Sequence, residues 1–380
     1  MDSSEREGLR PKGNVPNLRF PEFQGEWEKT KFGDIATGFD YGMNAAAKNY
    51  DGVNKYIRIT DIDEASSTYT DKDIVSPDGV LTDNYLVNNR DILLARTGAS
   101  TGKSYLYKKS DGKLYYAGFL IRANVTTHDP YFVFSQLHTH RYWRWVSIMS
   151  ARSGQPGINS QEYSSFPIYT TSIEEENKIA KLLSLLDERI ATQNKIIDKL
   201  QSLIKGIAQK IVHSNKTNVR LSECVECSSS TLQESDVCEH GAYPVCGANG
   251  IVGYLDNYNT EGEAVYIIKD GSGVGTVSYV TGKCSATGTL NTLQAKEGYS
   301  LQYLYYLLKV FNFEPYKTGM AIPHIYFKDY GKAKVFCPSY TEQLQYARLL
   351  SAIESNLSIE MNILTNLSLQ KQYLLRQMFI

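Results

Sequence analysis

Two glycine-bearing segments of this sequence carry residue types that suit the binding of a ligand such as a phosphate group. The first reads Arg96-Thr-Gly-Ala-Ser-Thr-Gly-Lys-Ser104, and the second reads Lys269-Asp-Gly-Ser-Gly-Val-Gly-Thr276. Each begins with a cation and has glycines four residues apart, at Gly98 and Gly102 and at Gly271 and Gly275. Glycine tolerates backbone conformations that let the main chain approach a ligand closely. We therefore expect two similar ligand-binding turns.

The first segment resembles a nucleotide-binding P-loop, which is the alternative interpretation. That motif needs glycine where this chain has Thr97, and it must lead into a helix that holds the phosphates. Here Tyr105-Leu-Tyr107 follows, which is typical of a strand, and the second segment contains no lysine after its first residue. A strand–turn–strand unit accounts better for both segments.

A second pair of turns combines a cation, a Ser/Thr-Gly step and a proline. It reads Arg152-Ser-Gly-Gln-Pro-Gly-Ile-Asn159 in the first copy and Lys317-Thr-Gly-Met-Ala-Ile-Pro-His324 in the second. Backbone N–H groups in such turns, with a hydroxyl and a cation beside them, suit phosphate oxygens. An ordinary turn leading into a strand and a helix is an equally good interpretation.

All six cysteines lie after residue 220, which raises the possibility of a zinc site. Cys224-Val-Glu-Cys227, followed by Cys238 and Cys246, has spacing that zinc ligands can adopt. An internal repeat in the chain favours another interpretation, because it aligns Leu221 and Cys224 with Phe32 and Ile35. Cysteine often behaves as a small hydrophobic residue. We expect Cys224 to be buried and structural.

Known catalytic motifs are absent from the sequence. It has no His-Glu-x-x-His, no nucleophile elbow, no dinucleotide fingerprint and no Asn/Asp-Pro-Pro-Tyr/Phe box of amino-methyltransferases. His128, His138 and His140 lie close together, but Trp143 and Trp145 beside them are typical of an aromatic helix face. The pattern favours a binding protein over an enzyme, with no metal and no cofactor on this chain.

The elements that must position these turns are short strands in irregular, tyrosine-rich sequence. Alternating or continuous apolar residues predict strands at five places, namely Trp27–Ile35, Tyr56–Thr60, Asp91–Ala95, Asn218–Cys224 and Ala264–Ile268. Each glycine turn directly follows one of these strands. The turns are therefore expected to project from small sheets.

Two long helices follow the strand-rich regions. From Ile173 to Val212 an apolar residue recurs every three or four positions, which is typical of a coiled-coil seam. Thr171 or Ser172 can cap the helix, and three glutamates fill its first turn, where the helix dipole favours acids. At 1.5 Å per residue the helix would be roughly 60 Å long.

The two long helices match each other at an offset of 167 residues, because Ala180–Asp187 reappears as Ala347–Glu354. That period is too long for a solenoid unit and indicates two domains, each followed by its helix. In both seams one polar residue, Gln193 or Glu360, occupies the same place. If the helices pair antiparallel, these two side chains face each other and fix the register. The alternative is that each helix packs on its own domain. The helix-pairing residues are predicted to be Leu186, Ile190, Gln193, Ile197, Ile353, Leu357, Glu360 and Leu364.

Composition limits the partners that this chain can have. The 380 residues carry a net charge of −1, and residues 1–172 contain 20 basic and 20 acidic side chains. This balance is unlike that of an autonomous DNA-binding protein. No apolar run approaches the roughly 20 residues of a membrane span, and residues 1–16 look like a polar, flexible leader. We expect a cytoplasmic protein.

The order of these features resembles that of the DNA-specificity subunit of type I restriction–modification enzymes, from Val15 onward. Each motif alone is weak, but their order occurs twice. The motifs that carry the resemblance are Pro16-Asn-Leu-Arg-Phe-Pro21 with Trp27, the two glycine turns, Ser153-Gly-Gln-Pro156, Thr318–His324, Glu175-Glu-Asn-Lys-Ile-Ala180 and Thr341-Glu-Gln-Leu-Gln345.

The resemblance implies an α+β fold with two mixed α/β target-recognition domains in tandem, each followed by a long helix, and with the two helices pairing as an antiparallel coiled coil. The implied divisions are a leader (1–16), a first recognition domain (17–172), a first helix (173–213), a second recognition domain (214–340) and a second helix (341–380). Each domain would read one half of a bipartite, asymmetric DNA site.

The resemblance also implies partners. Two modification subunits would bring S-adenosylmethionine and methylate a flipped adenine in each half-site. Restriction subunits would add ATP- and Mg-dependent translocation and cleavage of double-stranded DNA. This chain would supply specificity and scaffolding, and its partners would supply many of the phosphate contacts.

Candidate DNA-binding residues lie beside the two pairs of turns. Arginine and lysine suit guanine O6 and N7, and glutamine suits an adenine edge. The candidates are Arg58, Arg96, Thr97, Gly98, Lys103, Arg152, Ser153 and Gln155 in the first domain, and Lys269, Gly271, Ser272, Lys317, Thr318, His324 and Tyr326 in the second.

Two rival functions remain open at the level of sequence. A two-domain coiled-coil adaptor could bind proteins without any DNA specificity, and co-purification with a methyltransferase would separate the two interpretations. An enzyme with an unrecognised site would show activity as an isolated chain.

Overall fold

A computed structural model describes residues 13–151, 156–319 and 321–380. The chain divides into two compact units. The first unit comprises residues up to 192 together with 365–380, and the second comprises residues 193–364. Each unit therefore contains one strand-rich region and a segment of each long helix. The α+β class predicted from the sequence is confirmed.

The described residues of the first unit form ten short strands. They are β1 (Glu28–Lys31), β2 (Ala36–Tyr41), β3 (Ala46–Asn49), β4 (Lys55–Ile57), β5 (Val75–Asp78), β6 (Asp91–Ala95), β7 (Ser104–Leu106), β8 (Leu114–Tyr116), β9 (Leu120–Val125) and β10 (Pro167–Thr170). The central sheet is antiparallel in the order β2-β9-β6-β7. Smaller pairs, β3–β5 and the parallel β4–β8, lie beyond it, and β1 pairs with β10 at the base.

Both faces of the central sheet in the first unit are covered. Alternate side chains of β6, such as Ile92 and Leu94, belong to a core with Trp27 and Phe132. Their neighbour Leu93 belongs to a second cluster on the other side. This alternation explains why β6 is apolar from Ile92 to Ala95, since every residue of the strand is buried.

The second unit repeats this plan, and nine strands occur in the part of it that the structure describes. They are β11 (Val219–Arg220), β12 (Val225–Ser229), β13 (Tyr243–Gly247), β14 (Gly250–Leu255), β15 (Ala264–Ile268), β16 (Val277–Val280), β17 (Ser285–Ala286), β18 (Leu290–Ala295) and β19 (Lys334–Val335). The antiparallel sheet β12-β18-β15-β16 corresponds to the central sheet of the first unit, and β11–β19 corresponds to its base. A separate sheet, β14-β13-β17, replaces the smaller strand pairs.

Nine α-helical segments occur in the described parts of the chain. They are α1 (Phe32–Ile35), α2 (Pro130–Gln136), α3 (His140–Ser150), α4 (Ser160–Ser164), α5 (Ile173–His213), α6 (Leu221–Cys224), α7 (Leu301–Lys309), α8 (Phe327–Tyr330) and α9 (Tyr340–Gln377). The Ser172 hydroxyl accepts the Glu175 N–H at 3.3 Å, so Ser172 caps α5. The two long helices extend through both units.

Within each unit the segments of α5 and α9 run antiparallel. In the first unit Asp187 Oδ1 lies 2.6 Å from Lys371 Nζ, and Ile179 shares a core with Met378. In the second unit Ile204 shares a core with Leu350. Later positions on α5 meet earlier positions on α9 in both cases. The antiparallel pairing predicted from the seam is confirmed.

Gln193 and Glu360, the polar residues of the two seams, are hydrogen-bonded in the second unit. The Gln193 amide donates to the backbone carbonyl of Glu360 at 3.0 Å and also to its carboxylate. Gln193 is only 7% exposed. Of the other predicted helix-pairing residues, Leu186 and Ile197 are buried, and Ile190, Ile353, Leu357 and Leu364 are partly buried.

Three predicted strands are shorter than expected, because each ends in a helical turn. The strand predicted for Trp27–Ile35 covers only β1 before α1 begins, and that predicted for Asn218–Cys224 covers only β11. The strand predicted for Tyr56–Thr60 stops at Ile57, and a 3-10 turn begins at Ile59. In two of the three cases the physical reason is local capping: the Asp34 carboxylate accepts the Lys31 N–H at 3.0 Å, and the Asp61 carboxylate accepts the Arg58 N–H at 2.8 Å.

Cys224 and His138, two residues of types that can bind a metal, make contacts inside the fold. Cys224 is fully buried, and its Sγ lies 3.7 Å from that of Cys337. His138 hydrogen-bonds to Phe134 and Ser67, and burial lowers the pKa of His138 to about 4. Across residues 13–151, 156–319 and 321–380, no group of three or more His, Cys, Asp or Glu side chains could hold a metal ion. None of the helices in these ranges is long and apolar enough to cross a membrane.

Candidate nucleic-acid interface

The glycine turn and the proline turn of the first unit form one structure. Gly98 donates its N–H to the Pro156 carbonyl at 3.0 Å, and Ile158 donates to the Arg96 carbonyl at 2.9 Å. Thr97 and Gly157 form the β-bridge between these bonds. The two segments that the sequence singled out separately are thus joined, and we call residues 96–98 with 156–158 the first turn frame.

The second unit contains the same hydrogen bonds at the equivalent residues. Gly271 donates to the Pro323 carbonyl at 3.0 Å, and Ile325 donates to the Lys269 carbonyl at 2.9 Å. Asp270 and His324 form the β-bridge between them. Residues 269–271 with 323–325 are the second turn frame. Because backbone groups make the bonds, side chains of either frame can differ freely.

A third segment completes each frame. The Arg96 N–H donates to the Phe119 carbonyl at 3.1 Å, and the Lys269 N–H donates to the Thr289 carbonyl at 3.0 Å. In both units a glycine precedes this carbonyl, at Gly118 and at Gly288. The first cation of each glycine turn is therefore held between two neighbouring segments.

The back of the first glycine turn is fixed by tyrosine hydroxyls. Tyr142 donates to the Gly102 carbonyl at 2.8 Å, and Tyr163 donates to the Ala95 carbonyl at 2.6 Å. Burial raises the pKa of both tyrosines, so their hydroxyls remain protonated donors. Gly102 has φ +94°, a conformation that disfavours any other residue, and an added Cβ would lie 2.8 Å from Val146. The two tyrosine hydrogen bonds and the close packing against Val146 consequently restrict the conformation of this turn.

In the first unit Arg58 and Arg96 line one open pocket of about 560 Å³. The Arg96 guanidinium stacks on the Tyr41 ring, with 4.7 Å between the guanidinium carbon and the ring centroid. Its Nε is buried and has no hydrogen-bond partner among the residues that the structure describes. Phe119, which is 61% exposed, lies at the rim of the same pocket. A cationic side chain, two aromatic side chains and an open pocket thus lie beside the first turn frame.

Two other candidate cations of the first unit, Arg58 and Lys103, already have carboxylate partners. Arg58 binds Asp61 through Nε at 2.9 Å and Nη2 at 2.7 Å, and Asp73 lies 3.0 Å from its Nη2. The hydrogen bonds to Asp61 raise the pKa of the Arg58 guanidinium. Lys103 Nζ lies 3.0 Å from the exposed Glu64 carboxylate. Arg58 is therefore oriented by acids, while Arg96 is oriented by an aromatic ring.

The cations of the second unit are arranged differently. His324 Nδ1 lies 2.5 Å from Asp270 Oδ1, so an acid and a base adjoin at the turn frame. Thr318 and His324 exchange backbone hydrogen bonds of 2.9 and 2.8 Å. Lys317 Nζ lies 2.5 Å from Glu314 Oε1. The structure thus brings Lys269, Thr318 and His324 together.

The remaining candidates vary in exposure. Gly98 and Ser272 are exposed, Gly271 is partly exposed, and Thr97 contributes backbone to the first frame. Tyr326 is 49% exposed, and Lys328 Nζ lies 5.3 Å from the centroid of its ring. Arg152, Ser153 and Gln155 lie outside the described residues.

Sequence reasoning missed Tyr41, Phe119, Asp270 and Thr289. For Phe119 and Thr289 a signal existed, because Gly118-Phe119-Leu120 and Gly288-Thr289-Leu290 share a Gly-x-Leu step in equivalent order. Tyr41 gave no such signal, since only the fold brings it to Arg96. Asp270 lies inside the quoted motif, but its partner His324 is 54 residues away.

An acidic residue of α5 anchors the first unit to its helices. Asp187 accepts a hydrogen bond from the Tyr131 hydroxyl and forms an ion pair of 2.6 Å with Lys371. Tyr131 belongs to α2, which packs beside the central sheet. The carboxylate therefore fixes how the helices lie against the recognition region of this unit.

Glu354 of α9 occupies the equivalent position in the second unit. Its carboxylate accepts the Tyr306 hydroxyl at 2.7 Å, the Tyr305 hydroxyl at 3.0 Å and Lys309 Nζ at 2.9 Å. Burial opposes ionisation, but the hydrogen bonds from Tyr306 and Lys309 keep the pKa of Glu354 below its ordinary value. The same position of the repeat thus carries a carboxylate anchor in both units.

Comparison with known proteins identifies the family. The model of the type I restriction modification DNA specificity domain matches this chain twice, at residues 24–202 and 213–369. The matches together cover well over half of the chain, and each contains one turn frame. The resemblance found in the sequence is confirmed.

Individual relatives are distant. The type I restriction enzyme MjaVIII specificity subunit of Methanocaldococcus jannaschii is 26% identical over 59% of this chain and 54% of its own length. The type I restriction enzyme EcoprrI specificity subunit of Escherichia coli is 26% identical over 30% of this chain and 28% of its own length. The aligned regions thus span about half or less of the curated relatives.

Solved structures share the fold over nearly the whole chain. The S subunit of a type I restriction–modification system from M. genitalium matches with a TM-score of 0.66 and 17% identity, covering 96% of this chain and 99% of that one. A chain from a structure of the assembly and conformational transition of a type I system matches with a TM-score of 0.53 and 15% identity, covering 92% and 96%. With two matched domains and this fold, the chain belongs to the family of type I restriction–modification DNA specificity domains, of which it contains two.

Proposed function

We propose that this chain is the specificity subunit of a type I restriction–modification complex and that each unit reads one half of a bipartite, asymmetric DNA site. One observation carries the proposal. The same backbone frame is built twice, but it presents Arg96 and Phe119 in the first unit and Lys269, Asp270 and His324 in the second. Two frames with the same backbone and different side chains are suited to two domains that each bind a different DNA sequence.

The side chains at each frame suit base edges. A planar guanidinium such as that of Arg96 can donate two hydrogen bonds to guanine O6 and N7. Stacking on Tyr41 holds this group without consuming its donors in an ion pair. Lys269 and His324 can donate in the second unit. Arg58, which is already bound to Asp61 and Asp73, supports the surface and has fewer donors free for DNA.

The chain itself is expected to be non-catalytic and to rely on partners. A net charge of −1 leaves most phosphate contacts to other subunits. Exposed leucines occur at equivalent positions of α5 and α9, since Leu182 is 36% and Leu349 is 50% exposed. Equivalent apolar positions support docking of two like modification subunits, which would bring S-adenosylmethionine. Restriction subunits would bring ATP and Mg and make the complex an ATP-dependent endonuclease.

The decisive experiment uses the complete methyltransferase, formed by this chain and its modification partners. Methylated adenines are first mapped, and binding to that site is then measured for Arg96→Ala, Lys269→Ala and the double variant. Loss of a base-reading contact costs about 1–3 kcal/mol, so each single variant should bind the site roughly 5- to 150-fold more weakly. Binding to unrelated DNA should change far less.

Matched controls remove one charge from each unit without touching a frame. Lys29→Ala on β1 and Lys334→Ala on β19 remove exposed lysines of the two base strand pairs. Wild-type site binding by these controls is expected. If Arg96→Ala and Lys269→Ala bind as the controls do, the frames are not the readers. If the chain purifies without a methyltransferase and directs no adenine methylation, the adaptor interpretation replaces the proposal.

A further inference from the structure

The two units differ most at the third segment of their frames. The carbonyl that accepts the frame's cationic N–H belongs to Phe119 in the first unit and to Thr289 in the second. Phe119 is 61% exposed, whereas Thr289 is partly buried and its hydroxyl lies 2.8 Å from that of Thr287. At this place the first unit thus presents an apolar ring to solvent, and the second unit presents a hydroxyl that is already hydrogen-bonded.

The surroundings of Phe119 are suited to a small apolar group. It shares the pocket of about 560 Å³ with Tyr41, Met43 and Tyr56, whose side chains give the pocket apolar walls. Single exposed hydrophobic residues are common on protein surfaces. Here, however, the ring lies at the mouth of a pocket and its backbone is bonded to Arg96, whose guanidinium is stacked on Tyr41.

Thymine is the base that offers an apolar group in the major groove. Its C5-methyl lies next to hydrogen-bonding atoms of the adjacent bases, and phenylalanine is among the side chains that contact it. Building on the proposed function, the geometry points to Phe119 as a specificity residue of the first unit that contacts the methyl group of a thymine. Arg96 would bind a neighbouring guanine. The second unit presents no exposed ring at this place, because Thr289 is partly buried.

The test replaces thymine by deoxyuridine, which lacks only the methyl group. Every thymine of the mapped site is replaced singly in short duplexes, and binding by the complete methyltransferase is measured. For the wild-type chain, one replacement should weaken binding about fourfold, which corresponds to one buried methyl group. For Phe119→Ala, binding to the unmodified site should fall by a similar factor, and the same replacement should have no further effect.

Two further variants make the outcome specific to the contact. Phe119→Leu keeps an apolar side chain and should retain sensitivity to deoxyuridine, while Thr289→Ala should leave the whole deoxyuridine profile unchanged. The inference is overturned if Phe119→Ala remains as sensitive as the wild type, if no replacement weakens binding, or if Phe119→Ala instead impairs assembly with the modification subunit. Failure of the proposed function would look different, since the wild-type complex would then show no site-specific binding at all.

Discussion

The first and second turn frames have the same backbone and different chemistry. Both join a glycine turn to a proline turn through hydrogen bonds of 3.0 and 2.9 Å at equivalent residues. The first presents Arg96 stacked on Tyr41, and the second presents His324 beside Asp270. Backbone bonds therefore fix the shape of the surface, and side chains are left to determine what each surface binds.

The supports behind the frames differ as well. Tyr142 and Tyr163 hold the first glycine turn through its carbonyl groups. In the second unit a Cβ added at Gly275 would lie 3.1 Å from Phe313, whereas one added at Gly102 in the first unit would lie 2.8 Å from Val146. Substitutions at Gly102 and Gly275 can show whether the two glycine turns are packed equally tightly.

We expect the largest effect from Gly102→Ala. The left-handed backbone costs a non-glycine residue about 1–2 kcal/mol, and the overlap with Val146 adds about 1–3 kcal/mol. Gly275 has a similar φ, but an added Cβ would be less crowded there than at Gly102. The loss of unfolding free energy for Gly275→Ala should therefore be about 1 kcal/mol smaller than that for Gly102→Ala. Urea unfolding of the full chain measures both variants. Equal losses would mean that the two turns are supported alike.

The anchors at Glu354 and Asp187 give the next effect. Glu354→Ala leaves two tyrosine hydroxyls and Lys309 without their acceptor, which should cost about 2–3 kcal/mol of unfolding free energy. Asp187→Ala removes bonds to Tyr131 and Lys371 and should cost about 1–2 kcal/mol. Thermal unfolding of the two variants compares the anchors directly, and a larger loss for Asp187→Ala would reverse the expected order.

Glu354 also predicts a pH dependence. Because its folded pKa lies below the ordinary value of 4.5, its ionised form contributes stability that is fully present above that value. The contribution is lost as the pH falls through the folded pKa. The wild type should therefore lose more unfolding free energy between about pH 5 and pH 3 than Glu354→Gln. If the unfolding free energies of the two proteins depend on pH in the same way, the pKa of Glu354 is not lowered in the folded state.

The smallest effect is expected where the seams share one polar pair. Gln193→Leu leaves the Glu360 carboxylate without its donor and should lower the free energy of unfolding by about 1 kcal/mol. Replacing both residues by leucine should recover or exceed wild-type stability, because a matched apolar pair needs no desolvation of charge. Calorimetry of the single and double variants measures the coupling. If the double variant lost as much unfolding free energy as the two single variants together, the two side chains would not be coupled.

The sequence was informative wherever local pattern and repetition acted together. The seams of α5 and α9 and the buried strands β6 and β15 followed from periodicity. The turns at Asp34 and Asp61 interrupted predicted strands because single carboxylates capped them. Capping of this kind depends on one side chain and leaves no periodic trace.

The candidate site could be predicted only in part. The glycine and proline turns were visible as motifs, but their joining depends on bonds between residues about 60 positions apart, such as Gly98 and Pro156. The stacking of Arg96 on Tyr41 likewise depends on how strands pair. Pattern reasoning identifies such pieces, and the tertiary contacts decide which of them meet.

The tyrosine hydroxyls behind the first glycine turn have a thermodynamic consequence. A loop that is already held at the Ala95 and Gly102 carbonyls has few conformations to lose when it meets a ligand. Binding then avoids much of the entropy cost of ordering a flexible segment. Affinity at this surface can accordingly come from a small number of well-placed contacts, and its temperature dependence should reflect hydration more than loop folding.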